Sequence, residues 1–142
     1  MGISKAQITD AMRKRMSKRE QQIYGKPFED QVAELEEQAE ETMHEQYSSY
    51  LYRHGFRLVI HADMDRKVHD LPIGWPDYTV SYGPPLQTLY VEFKAGRNKL
   101  TPEQDAYRNL ITVSGGTYVV ARSFKAAMDA TIQFFNLGDP TE

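Results

Sequence analysis

Apolar positions recur at helical spacing in some stretches of the chain and at strand spacing in others, with Gly and Pro between them. Residues 4–24 can form a helix, although their apolar positions are sparse and leave little to bury. Gly25, Lys26 and Pro27 break the chain. Residues 28–54 read as a long helix without Gly or Pro. Its apolar face is clear only in the second half, where Met43, Tyr47, Tyr50 and Leu51 recur at helical spacing. Gly55 ends it. Residues 56–61 read as a first strand, 77–81 as a second and 89–94 as a third. A charged loop, 62–72, joins the first two, and Gly83, Pro84 and Pro85 turn the chain between the second and third. A helix is predicted over 101–114. Thr101 is a good N-cap, Pro102 suits the first helical position, and Gln104 closes a Thr-x-x-Gln capping box. Gly115 and Gly116 stop that helix. Thr117–Ala121 reads as a fourth strand, and Ser123 caps a last helix carrying Phe124, Ala127, Met128 and Ile132. The tail from Asn136 reads as loose. Helix, three strands, helix, strand, helix is an α/β order compatible with a mixed sheet.

Composition narrows the class. A chain of 142 residues with 40% hydrophobic and 26% charged residues suits one soluble domain with a real core. No stretch approaches the roughly 20 apolar residues of a membrane span. The polar, basic N-terminus shows no signal peptide. The absence of Cys excludes disulfides and thiolate zinc sites and fits a reducing, cytoplasmic compartment. A net charge of −3 is not that of a general nucleic-acid binder, yet the charge is unevenly spread. Residues 1–26 hold seven Lys and Arg against two acids, among them Arg13, Lys14, Arg15, Lys18 and Arg19. Residues 27–46 hold eight acids and no Lys or Arg. The basic arm can grip phosphates or be a solvated terminus.

The chemistry concentrates between Gly74 and Gln104. Asp77 follows Pro76, and Glu92 and Lys94 stand fifteen and seventeen residues after it. A strand has period two, so Glu92 and Lys94 share one face and Phe93 takes the other. Charges on a strand face that should be buried conflict with local folding logic, as functional sites do. Two carboxylates and a lysine are what metal-dependent phosphodiester hydrolysis needs. Mg²⁺ takes hard oxygen ligands and needs only one or two carboxylates, which Asp77 and Glu92 supply. The Phe93 carbonyl is a further candidate ligand. Lys94 would orient the attacking water or steady the transition state. Mn²⁺ accepts the same oxygen ligands and should substitute. Taken singly, Pro-Asp is a common turn dipeptide and Glu-x-Lys a common solvated strand face.

The strand leads through a short basic loop with Arg97 and Lys99 into the helix at Thr101. Gln104 is placed close to the strand's end. It either closes the capping box or serves the site, and can do both only if its side chain is shared. Trp75 either packs on the sheet or touches substrate. His44, His54, His61 and His69 show no zinc-ligand spacing and read as surface histidines, with His61 and His69 flanking the polar loop. The tyrosines read mostly as core positions. On the long helix, Glu40 projects from nearly the same face as Tyr47 and Leu51, and so towards the sheet; it is a candidate third acidic ligand beside the reading of a solvated acidic helix.

Gly-x-Pro-Asp, Glu-x-Lys, a Gly/Arg loop, Leu-Thr-Pro-x-Gln and Gly-Gly-x-Tyr-Val-Val, in this order, resemble the VRR-Nuc family of the PD-(D/E)XK nuclease superfamily. That family includes the nuclease domain of the Fanconi-associated nuclease and small standalone proteins, many from phages. The match runs from about Glu40 to Met128. The resemblance implies a restriction-endonuclease-like mixed β-sheet flanked by α-helices, divalent-metal catalysis and DNA hydrolysis. For standalone members it implies homodimers that cut branched DNA such as four-way (Holliday) junctions. It also implies a Glu from an early helix at the metal site, a position that Glu40 matches best and Glu41 next. The expected organisation is a basic arm over 1–26, a nuclease domain over 27–136 and a loose tail over 137–142. The expected function is that of a metal-dependent DNA endonuclease of the bacterial cytosol, with a phage origin as the resemblance implies for standalone members; the alternative is a catalytically silent DNA-binding module on the same fold.

Overall fold

A computed structural model describes residues 28–63 and 70–138. By compactness the chain divides into two units, Met1–Glu41 and Thr42–Glu142. Helix α1 spans Phe28–Arg53. Within the first unit it buries Gln31 and leaves Val32 and Leu35 exposed. In the second unit its remaining turns bury Met43, Tyr47, Tyr50 and Leu51, the positions whose helical recurrence marks an apolar face.

The second unit is built on a four-stranded mixed sheet. Its strands, β1 (Leu58–His61), β2 (Tyr78–Tyr82), β3 (Gln87–Phe93) and β4 (Thr117–Ala121), lie side by side in chain order. The first two pairings are antiparallel and β3–β4 is parallel. A parallel pair needs a crossover, which helix α2 (Pro102–Val113) supplies. Helix α3 (Phe124–Phe134) follows β4 and is capped by Ser123, whose Oγ accepts from the Ala126 N–H at 3.0 Å. Among the described residues no helix is long and apolar enough to cross a membrane.

The two faces of the sheet differ in chemistry. Tyr78, Val80, Leu89, Val91, Phe93 and Ala121 form the buried core with Tyr47, Tyr50 and Leu51 of α1 and Ala127 of α3. Polar atoms on this side are answered locally. The Thr131 hydroxyl donates to the Ala127 carbonyl at 2.7 Å, so the buried Tyr47 hydroxyl donates to Thr131, also at 2.7 Å. The opposite face carries Thr79, Tyr90, Glu92, Tyr118 and Val120, by the register that pairs Thr79 with Tyr90, Tyr90 with Tyr118 and Glu92 with Val120. Trp75 covers part of it, donating from Nε1 to Thr79 Oγ1 at 3.0 Å and meeting the rings of Tyr90 and of Tyr107 on α2 edge-on.

Two boundaries differ from the sequence reading by two residues, each for a local reason. The first strand begins at Leu58 because Gly55 and Phe56 belong to the end of α1. Gly55 takes φ +83, its N–H reaches Tyr52 O and the Phe56 N–H reaches Leu51 O. That is the Schellman pattern, with the buried Phe56 as its apolar contact. The third strand starts two residues early, at Gln87, because polar Thr88 and Gln87 continue the pairing with Ser81 and Tyr82. Ser81 and Thr88 join their hydroxyls across the strands at 2.8 Å. The turn between them, residues 82–87, is exposed throughout.

Candidate active site

The site is assembled where β2 begins and β3 ends. Asp77 lies one residue before β2, and its carbonyl accepts from the Ala62 N–H at 2.8 Å, which prolongs the β1–β2 ladder. Its carboxylate Oδ2 accepts from the Phe93 N–H at 2.7 Å. This bond ties the Pro-Asp loop to the strand bearing Glu92 and Lys94. The Asp77 carboxyl also lies close enough to that of Glu92 for the two to affect each other's ionisation. Burial pushes the Asp77 carboxyl up, but bonds from His44, Glu92 and the Phe93 N–H, with the His44 charge, outweigh it and hold it below its ordinary value.

Glu92 is 1% exposed and Lys94 9%. The sequence reading placed them on one strand face with Phe93 on the other, and Phe93 is indeed in the apolar core while Glu92 lies opposite. Burial of adjacent carboxyls is costly unless a proton, a lysine or a cation offsets the charge. Beyond the strand, the Lys94 N–H bonds to Ala121 O at 3.0 Å, so its backbone is fixed to β4.

The loop that delivers Asp77 is held by packing. Gly74 is buried with φ +91, and a Cβ there would stand 2.6 Å from the backbone carbon of Glu103 in the first turn of α2. Only glycine permits this approach. On the far side of the site, residues 95–100 turn tightly, with Asn98 N–H on Ala95 O. Arg122 braces that loop by donating to the carbonyls of Gly96 and Asn98 at 3.0 and 2.9 Å. Arg97 and Lys99 are exposed on it.

Gln104 makes both halves of the capping box. Its Oε1 accepts from the Thr101 N–H at 2.9 Å, and its N–H donates to Thr101 Oγ1 at 3.2 Å. The side-chain oxygen is therefore committed to the helix start. Trp75 packs on the sheet. Glu40 and Glu41 lie on α1 in the Met1–Glu41 unit, Glu40 half-buried and Glu41 exposed. Arg13, Lys14, Arg15, Lys18 and Arg19 lie outside the described residues, as does His69.

The histidines correct the sequence reading in part. His54 is exposed, but the His44 side chain is only 12% exposed and His61 is half-buried. His44 Nε2 stands 3.4 Å from Asp77 Oδ2, and its Nδ1 stands 2.8 Å from Nε2 of His61. The signal was present: His44 precedes Tyr47 by three residues and Leu51 by seven, and so shares their buried face. Tyr118 was also missed. Its hydroxyl is buried and has no hydrogen-bond partner among the described residues. Burial pushes that phenol up, and the charges of Glu92 and Asp77 add to the effect; by the β3–β4 register it lies on the Glu92 face, two residues from the partner of Glu92. Buried polar groups left so are few in native folds and tend to mark sites.

Neither a protein-family model nor a curated protein sequence matches the chain. Among solved structures it is similar to a chain described as a VRR_NUC domain protein, with a TM-score of 0.54 and 21% identity, over 71% of this chain and 91% of that one. This chain has a VRR-Nuc-like fold. The VRR-Nuc-like sheet makes it a nuclease-fold domain, with Asp77, Glu92 and Lys94 at the end of its central strands. The donors present suit a divalent metal. Asp77 and Glu92 offer hard carboxylate oxygens, and His44, His61 and Asp63 form a second cluster of potential ligands nearby.

Proposed function

We propose that this chain is a Mg²⁺-dependent DNA endonuclease that hydrolyses phosphodiester bonds, selective for branched duplexes such as four-way junctions. The observation that carries the reading is the half-buried Asp77 carboxyl beside the buried Glu92, with the buried Lys94 two residues on, just past the strand's end. A structural role does not account for a Glu and a Lys both buried two residues apart at the end of a core strand, since apolar residues there would fold at lower cost.

Asp77, Glu92 and the Phe93 carbonyl would hold the cation. When bound, a divalent ion lowers the pKa of water and stabilises charge on the phosphate. The chain's own residues do the rest. The Phe93 N–H and His44 fix the Asp77 carboxylate, so that its orientation is set before substrate arrives. Lys94 donates to the attacking water or to the non-bridging phosphate oxygen as charge builds there. Gln104 has its amide nitrogen to offer, its oxygen being engaged in the cap. Arg97 and Lys99 would meet the DNA backbone, joined by Arg13, Lys14, Arg15, Lys18 and Arg19 of the basic arm. Mn²⁺ would substitute for Mg²⁺. A junction is cut on two strands, and a homodimer presents two equivalent sites to such a two-fold substrate. The likeness to a VRR_NUC domain protein supports the nuclease reading at the level of fold; phage-type standalone members of that family furnish the expectation of junction cutting.

The test is incubation of the purified chain with labelled four-way junctions, forks, flaps and linear duplex, with Mg²⁺, Mn²⁺ or EDTA. Cleavage of the junction with either metal and none with EDTA is the expected result. A folded chain that binds the junction yet cuts nothing in either metal would instead be a silent DNA-binding module.

A further inference from the structure

His44 has two ring nitrogens, and only one of them faces Asp77. The other, Nδ1, lies 2.8 Å from Nε2 of His61 and 3.9 Å from Oδ2 of Asp63. Ligand atoms of these three residues all fall within 4.8 Å of one another. We propose that His44, His61 and Asp63 hold a nitrogen-preferring divalent ion of the Zn²⁺ class, at a site separate from the carboxyl pair, and that Asp77 orients His44 for it.

The donor set argues for that class of ion. Two imidazoles and one carboxylate suit Zn²⁺, whereas Mg²⁺ demands oxygen ligands. Three protein ligands leave a fourth position for water. At Zn–N distances of about 2.0–2.1 Å in a tetrahedron, the two nitrogens would stand about 3.3 Å apart, so the present contact needs to open by only about 0.5 Å.

The rings are already held in place. His61 stacks on Tyr78, its partner across β1–β2, with centroids 4.3 Å apart and planes within 6°. His44 is wedged against His61, Tyr78 and Phe93, at 5.0, 5.5 and 5.2 Å between centroids. The Tyr78 hydroxyl donates to the His44 carbonyl at 2.8 Å, which fixes that turn of α1. Asp63, 65% exposed at its side chain, leaves the ion a route in from solvent.

Asp77 completes the arrangement. A metal-binding histidine commonly donates its other N–H to a carboxylate, which sets the tautomer and raises ligand basicity. Asp77 Oδ2, 3.4 Å from His44 Nε2, stands where that carboxylate should be. The site would hold whether or not the Asp77–Glu92 pair serves catalysis.

The experiment is titration of the metal-free full chain with Zn²⁺ in the presence of excess Mg²⁺, by calorimetry. Co²⁺ absorption bands give an independent reading of nitrogen ligation. One Zn²⁺ per chain, not displaced by Mg²⁺, is expected. His61→Ala should weaken binding more than about 100-fold, beyond the range of outer-shell partners, and Asp77→Asn about 10–100-fold. Asp63→Asn should weaken it as well, while Glu92→Gln should leave it unchanged. Absence of Zn²⁺ binding over excess Mg²⁺ would overturn the proposal. So would wild-type affinity in Asp63→Asn and His61→Ala with loss in Glu92→Gln. Circular dichroism checks folding; if His61→Ala does not fold, Asp63→Asn, on an exposed side chain, decides.

Discussion

Lys94 sits in a place where a lysine is expensive. Its side chain could be replaced by an apolar one with little harm to the strand, which supports the role in the reaction proposed for its ammonium. Lys94→Ala should lower cleavage at least about 100-fold while leaving the circular dichroism spectrum and junction binding near wild type; unchanged turnover would remove Lys94 from the chemistry. Tyr47 is the opposite case, a polar group serving the core. Its hydroxyl donates to Thr131 with no exposure to water, so Tyr47→Phe should cost about 0.5–1.5 kcal/mol in denaturant unfolding and nothing in cleavage. The burial of Glu92 and Lys94 was legible in the sequence as a conflict between their charge and an apolar strand. His44 and Tyr118 were harder to see, because His and Tyr on an apolar face raise no conflict until the fold shows what lies opposite them.

At the scale of elements, capping and turn chemistry was read well and pairing was not. Thr101, Pro102 and Gln104 start α2 as their types predict, because caps depend on neighbours in sequence. The early start of β3 follows from its register with β2, which no local pattern reveals. The nearness of His44 to Asp77 is likewise a product of α1 lying on the sheet. Gly74 shows how elements share one constraint. The loop bearing Asp77 rests on the first turn of α2, and a methyl group at Gly74 has no room. Gly74→Ala should therefore cost about 1–3 kcal/mol and also move Asp77 away from Glu92. Calorimetry with Mn²⁺ should show weaker binding in this variant although no ligand has been changed; wild-type affinity would mean that the loop is positioned by something else.

For the whole molecule, burial makes the native state sensitive to alkali. Tyr47, Tyr78 and Tyr118 all have phenols pushed up by burial. A raised folded-state value means stability present below the unfolded pKa and lost as pH climbs past it. Stability should thus decline above about pH 10, and these three of the nine tyrosines should gain phenolate absorbance only as the chain unfolds. A smooth titration of all nine in a chain that stays folded would contradict this. The proposed role of the basic residues 1–26 is in binding instead: their deletion should weaken junction binding and flatten its salt dependence, with the Mn²⁺ isotherm unchanged. The exposed β2–β3 turn, residues 82–87, has a consequence for engineering. It divides the chain so that Asp77 falls on one side and both Glu92 and Lys94 on the other, while the ladder Tyr78↔Val91 to Tyr82↔Gln87 would remain to join them. A backbone cut at that turn should yield two inert fragments that bring Asp77 back beside Glu92 on mixing, so that the proposed cleavage would be switched on by the meeting of two halves.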